Sequence, residues 1–195
     1  VMLKEYRKVR QRYHSRGFRI TSVLTDNEFE PIRNDVRLTI PQVCGTDEHV
    51  PEVERSIQTL KNESRSVCHA MPYQCLPKIM VRELVAQGNE YLNAFGSKDA
   101  VGNNLSPRNI IDNLPHVDYN DIKYEFGQRV ELHVSLPRTN TMASRSTEAL
   151  VLGPKNITGN YTFMSLQTGK EINGRVVRVL PITQDVVEIV DQLGR

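Results

Sequence analysis

Residues 18–26, FRITSVLTD, and 49–65, HVPEVERSIQTLKNESR, decide how the chain reads. The first stretch is rich in β-branched and apolar side chains up to Thr25, so 18–25 is expected as a buried strand ending at Asp26. In the second, Pro51 suits the first turn of a helix, and Glu52 and Glu54 suit its positive dipole end. Val53, Ile57, Leu60 and Val67 then recur at i, i+4, i+7 and i+14, the spacing of one inward-facing stripe. A strand followed by an amphipathic helix is the raw material of an α/β fold.

Outward from these stretches the pattern holds to about residue 118. MLKEYRKVRQRYHS at 2–15 places Leu3, Tyr6, Val9 and Tyr13 on one stripe, and Gly17 stops the helix. VRLTIP at 36–41 reads as a second short strand. After a break at Met71-Pro72, a helix is expected over 77–95 with Ile79, Leu84, Val85 and Leu92 as core. Gly102, Asn103, Asn104, Pro107 and Pro115 then mark a loop-rich linker. From 123 onward KYEFGQRVELHV, STEALVLGP, GNYTFMSL and KEINGRVVRVLPI read as four short strands separated by turns. The expected architecture is an α/β segment over 1–118 followed by a small all-β module, barrel or sheet, over 119–195.

Composition narrows the function classes. With 25 basic and 23 acidic side chains the chain is nearly neutral, which fits neither a supercharged arm nor an acidic tail. The charges are nonetheless blocked. Residues 1–20 hold seven basic side chains and one acidic, a net of +6, whereas 21–54 hold two and eight, a net of −6. Sites that handle cations and phosphates show such alternation, and so do ordinary surfaces. No apolar run approaches the roughly 20 residues of a bilayer helix, so no membrane partner is expected. No basic-then-apolar leader is visible, and three cysteines fit a reducing compartment, nuclear or cytoplasmic. The first residues already read as a running helix, so the chain is expected to be a fragment of something longer.

Asp26 and Glu54 are the carboxylates of interest. The carboxyl ends of strands are where α/β folds put sites. From Glu54, Gln58, Lys61 and Arg65 follow at i+4, i+7 and i+11, one helix face with a carboxylate and then polar and basic groups. Two such carboxylates suit Mg²⁺, a hard cation that prefers oxygen ligands, and the adjoining cations suit a phosphate backbone. Equally, Asp26 suits a strand-end turn, and Glu54 or Glu52 a helix-dipole position. Periodicity does not choose between these readings.

LTDNEFEPI at 24–32 followed by HVPEVERSIQTLKNESR at 49–65 resembles the integrase core of copia-type retrotransposon polyproteins. LPKIMVRELVAQGNEYLNAF at 76–95 and LSPRNIID at 105–112 resemble the helix and loop that follow the catalytic helix in that family. ALVLGPKNITGNYTFMSLQTGKEINGRVVRVLPIT at 149–183 resembles its β-rich segment after the core. The resemblance implies an RNase H-like fold with an Asp, Asp, Glu set that binds Mg²⁺ or Mn²⁺. It places Asp26, in Asp26-Asn27, as the second Asp, and Glu54, before Arg55 and Thr59, as the Glu. It also implies that Gln58, Lys61 and Arg65 position DNA, and that the intact enzyme is a homo-oligomer carrying out DNA integration by strand transfer.

Three features depart from the family. No counterpart of the first Asp is present, the interval from Asp26 to Glu54 is short, and the His/Cys zinc module is missing. His14, His49, His69, His116 and His133 show no paired ligand spacing with the cysteines, and beside His69 the cysteines Cys68 and Cys75 read as small core residues rather than zinc ligands. The expectation is therefore an integrase fragment that binds nucleic acid and is inactive alone. The competing reading is a non-enzymatic nucleic-acid or protein-interaction module.

Overall fold

The structure is a computed structural model, and it describes residues 2–25, 40–43, 51–95, 105–118, 122–133, 144–154 and 161–195. The chain divides into two compact units, Val1–Thr59 with Leu92–His116, and Leu60–Tyr91 with Val117–Arg195.

The first unit opens with helix α1, Met2–His14. Its end is built by the two backbone bonds of a glycine-terminated helix. Gly17 N–H donates to His14 O (3.0 Å) and Phe18 N–H to Tyr13 O (3.1 Å). Gly17 sits at φ +81°, which a side chain would resist, and the Phe18 ring meets Tyr13 edge-on at 6.3 Å. These are the hydrogen bonds and apolar contact of a Schellman stop. Strands β1 (Ser22–Thr25) and β2 (Ile40–Val43) pair in parallel, with Ser22 opposite Ile40 and Thr25 opposite Val43. Parallel pairing requires a crossover connection, the mark of α/β architecture.

A π-helical turn, Arg108–Asp112, ties α1 down. Asn109 Oδ1 accepts from the Ser106 N–H and hydroxyl, both at 2.8 Å, and Asn109 Nδ2 donates to Leu114 O at 2.7 Å, which fixes the turn. Arg12 then grips the Asp112 carboxylate through Nε and Nη2, and Arg16 donates to Ile110 O and Asn113 Oδ1.

Helix α2 runs Pro51–Ala70 and helix α3 Lys78–Ala94. Most of the stripe expected to face inward on α2 does not: Val53, Ile57 and Val67 remain 51%, 46% and 36% exposed, and of the four only Leu60 is half-buried, beside Gly88 of α3. Amphipathic spacing states where a helix is apolar, and burial additionally needs an element to cover it. On α3, Met80, Leu84 and Gln87 are buried, whereas Val85, expected in the core, is exposed. The true stripe is i, i+4, i+7 from Met80, and Val85 lies one position off it.

The second unit is organised on five antiparallel strands: β3 (Arg129–His133), β4 (Ser146–Pro154), β5 (Tyr161–Ser165), β6 (Glu171–Ile172) and β7 (Arg175–Val179). The order is β6-β5-β4-β3-β7, a four-strand meander whose last strand returns beside the first. KEINGRVVRVLPI, read as one strand, is thus two, interrupted at Asn173-Gly174. Both sheet faces are buried. Leu150 and Leu152 of β4 pack with Tyr73, Met80, Met164, Leu166, Val186 and Val190. Their neighbours Ala149 and Val151 point the other way, into a cluster of Val130, Leu132, Tyr161 and Phe163 with Ile172 and Val176. All five strands contribute to that second cluster, the packing of a sheet curled on its inner face.

Helix α4, Gln184–Gly194, was not expected from sequence. It buries Val186 and Val190, and Asp191 Oδ1 accepts the backbone N–H groups of Gln74 (2.8 Å) and Cys75 (2.9 Å). Gly194 lies so close that a Cβ there would meet Cys75 O at 2.3 Å. The boundary read at 118/119 lies beside the point where this unit resumes at Val117, but the unit also takes in 60–91. The reason is the first of the two clusters, which joins Tyr73 and Met80 to the sheet.

Candidate nucleic-acid interface

Strand β1 ends at Thr25, so Asp26 follows it directly in the chain, but Asp26 itself and the Glu52 side chain lie outside the described residues. Glu54 sits in the first turn of α2 with its side chain exposed. Glu54 and Gln58 each take part in a polar interaction already.

Further along α2, Lys61 and Arg65 are exposed and have no side-chain partner among the described residues. Steps of four, three and four residues set Glu54, Gln58, Lys61 and Arg65 on one strip of the helix surface. Turn-spaced, unpaired cations suit successive phosphates, because phosphate binding requires positive charge without a fixed hydrogen-bond code.

Helix α1 adds a second set. Of its cations, Lys8 pairs with Glu5 at 2.8 Å, and Arg12 and Arg16 hold the 108–113 turn. Lys4, Arg7 and the following Arg19 are exposed and Arg10 is half-buried, all without a side-chain partner among the described residues. The hydrogen bonds and charge of Asp112 hold the Arg12 guanidinium above its ordinary pKa. The basic stretch thus divides its labour: two arginines fasten the helix, and most of the others face solvent. Sequence could not show this division, since Asp112 lies a hundred residues from Arg12.

Among the described residues no three His, Cys, Asp or Glu side chains gather to hold a metal. Cys68 and Cys75 are half-buried free thiols, and burial pushes the Cys68 thiol pKa up. The Glu54 carboxylate is a hard oxygen donor of the kind Mg²⁺ takes, but a single exposed carboxylate does not make a divalent-cation site. No helix among the described residues is long and apolar enough to cross a membrane.

Compared with known proteins, the chain matches no protein-family model and no curated sequence.

Proposed function

We propose that the chain is a fragment of a retrotransposon integrase, with an RNase H-like core over its first part, and that it binds DNA without processing it. The observation that carries this reading is the α2 strip: an exposed Glu54 in the first helical turn, then Gln58, Lys61 and Arg65 at turn spacing. It is the arrangement that the resemblance implies, and β1 ending immediately before Asp26 is compatible with it. Asp26 and Glu54 would hold Mg²⁺ or Mn²⁺ in the intact homo-oligomeric enzyme, and the bound ion would supply Lewis-acid activation of water and charge stabilisation for the leaving oxygen. In this chain the proposed work of Lys61, Arg65 and the free α1 cations is to hold phosphates. Its substrates would be element ends and target DNA, in the nucleus or the cytoplasm.

The test is duplex binding at rising salt, beside an oligonucleotide assay with Mg²⁺ or Mn²⁺. Binding should weaken with salt at a slope of about −0.9 per phosphate neutralised, and neither end trimming nor strand transfer should appear. Strand transfer abolished by Asp26→Asn would refute the inactivity and uphold the site. No binding at low salt would remove the nucleic-acid reading.

A non-enzymatic interaction module is the second reading. It is favoured by the second unit, whose sheet and helices supply two buried clusters that do not depend on the candidate carboxylates. Binding that survives Lys61→Ala/Arg65→Ala would favour it.

A further inference from the structure

We propose that the groove between α4 and the sheet of the second unit is a docking site for a short basic peptide carrying apolar anchor residues. It does not rest on the integrase reading, for it lies away from the basic helices in sequence and has the opposite charge.

The groove is a cavity of about 440 Å³. Leu166, Leu180 and Ile189 form its apolar wall, and Glu131, Glu148 and Arg178 its polar one. On α4, Val186 and Val190 point into the core, but Ile189 and Leu193, one turn apart on the helix margin, stay 37% and 40% exposed. Ile189 therefore offers apolar surface to whatever enters, and Leu193 extends it along the helix.

Charge selects the occupant. Arg178 Nε donates to Glu131 at 2.6 Å, and Arg129 donates to Glu148 Oε2 through Nη2 at 2.6 Å and Nε at 3.1 Å. Both guanidiniums are thus committed, while Glu148 Oε1 has no partner among the described residues. Beyond the Ile189 margin, Asp185 and Glu188 are exposed and unpartnered among the described residues, and α4 has no basic residue. Four carboxylates against two engaged guanidiniums leave the groove and its flank negative. A nucleic-acid phosphate is repelled by such a surface, whereas an ammonium on an alkyl stem satisfies both the apolar wall and the free carboxylates.

The experiment is fluorescence anisotropy of the full chain with a labelled peptide alternating lysine and leucine. Controls replace its lysines by glutamates or its leucines by serines. The Lys/Leu peptide should bind, more weakly as salt rises, and Glu188→Lys or Ile189→Asp should each weaken it roughly tenfold, as removal of a rim charge or an apolar anchor does. Leu193→Ser gives a milder variant, and far-ultraviolet dichroism verifies that each variant is folded. Equal binding of the Glu/Leu peptide, or unchanged binding by folded Ile189→Asp and Leu193→Ser, overturns the proposal. So does sedimentation showing that the groove is closed by a second copy, with a dimer that disappears in Ile189→Asp. Disappearance of duplex DNA affinity in the same variant overturns it as well.

Discussion

Tyr73 is buried under the sheet, and its hydroxyl donates to Gly127 O at 2.9 Å. Burial pushes the phenol up to about 12, only partly offset by the positive charge of Arg129. An acid whose pKa is raised by folding stabilises the fold below its unfolded pKa of about 10 and loses that contribution as pH rises to its folded value. The stability of the second unit to denaturant should therefore fall between about pH 10 and 12, and Tyr73→Phe should abolish that part of the pH dependence. The same substitution strands the Gly127 carbonyl and should cost about 1–2 kcal/mol at neutral pH. Asp191→Ala orphans two backbone donors, those of Gln74 and Cys75, and should cost about 1–3 kcal/mol. Arg108 is the opposite case, since its Nε and Nη2 are covered with no hydrogen-bond partner among the described residues. Arg108→Met should be neutral or stabilising by about 1 kcal/mol in thermal unfolding, and a marked loss would reveal an acceptor for that edge.

At the scale of elements, α2 and α3 make a controlled comparison. Both have apolar residues at helical spacing, but Ile57 on α2 is half exposed whereas Met80 on α3 is fully buried. Ile57→Lys should leave stability within about 0.5 kcal/mol, while Met80→Ala should cost about 2–5 kcal/mol. Urea unfolding of the two variants reads the difference directly. If Ile57→Lys proves as damaging as Met80→Ala, the α2 stripe has a cover in solution. Strand β7, an edge of the sheet, manages its exposure with charges and irregularity. Arg175 and Arg178 stand on either side of exposed Val177, and the register slips between Glu131 and Leu132 of β3. Such features discourage pairing with another strand.

For the whole molecule, the consequence to measure is electrostatic. Unpartnered exposed cations among the described residues include Lys4, Arg7, Lys61 and Arg65 on α1 and α2, and unpartnered exposed carboxylates include Asp185 and Glu188 on α4. Lys61→Ala/Arg65→Ala should lower duplex affinity and reduce the salt slope by about 2, one for each phosphate no longer neutralised. Glu188→Lys should not weaken duplex binding.

What the sequence determined by itself is local. The three long helices were legible because their apolar spacing, Pro51 and Gly17 act within a few residues. That Glu54, Lys61 and Arg65 share one strip of α2 follows from helix geometry alone, so that placement was legible too, whereas their exposure was not. Helix α4 was hidden, because the β-branched residues of DVVEIV suit a strand and only docking on Tyr73 and Met80 decides for a helix. Tertiary structure alone decided that most of α2's stripe stays exposed, that 60–91 joins the sheet, and that Arg12 is spent on Asp112. The physical reason is common to all three. A side chain's periodicity is written in its neighbours along the chain, but whether it is covered or paired depends on residues that folding brings from far away.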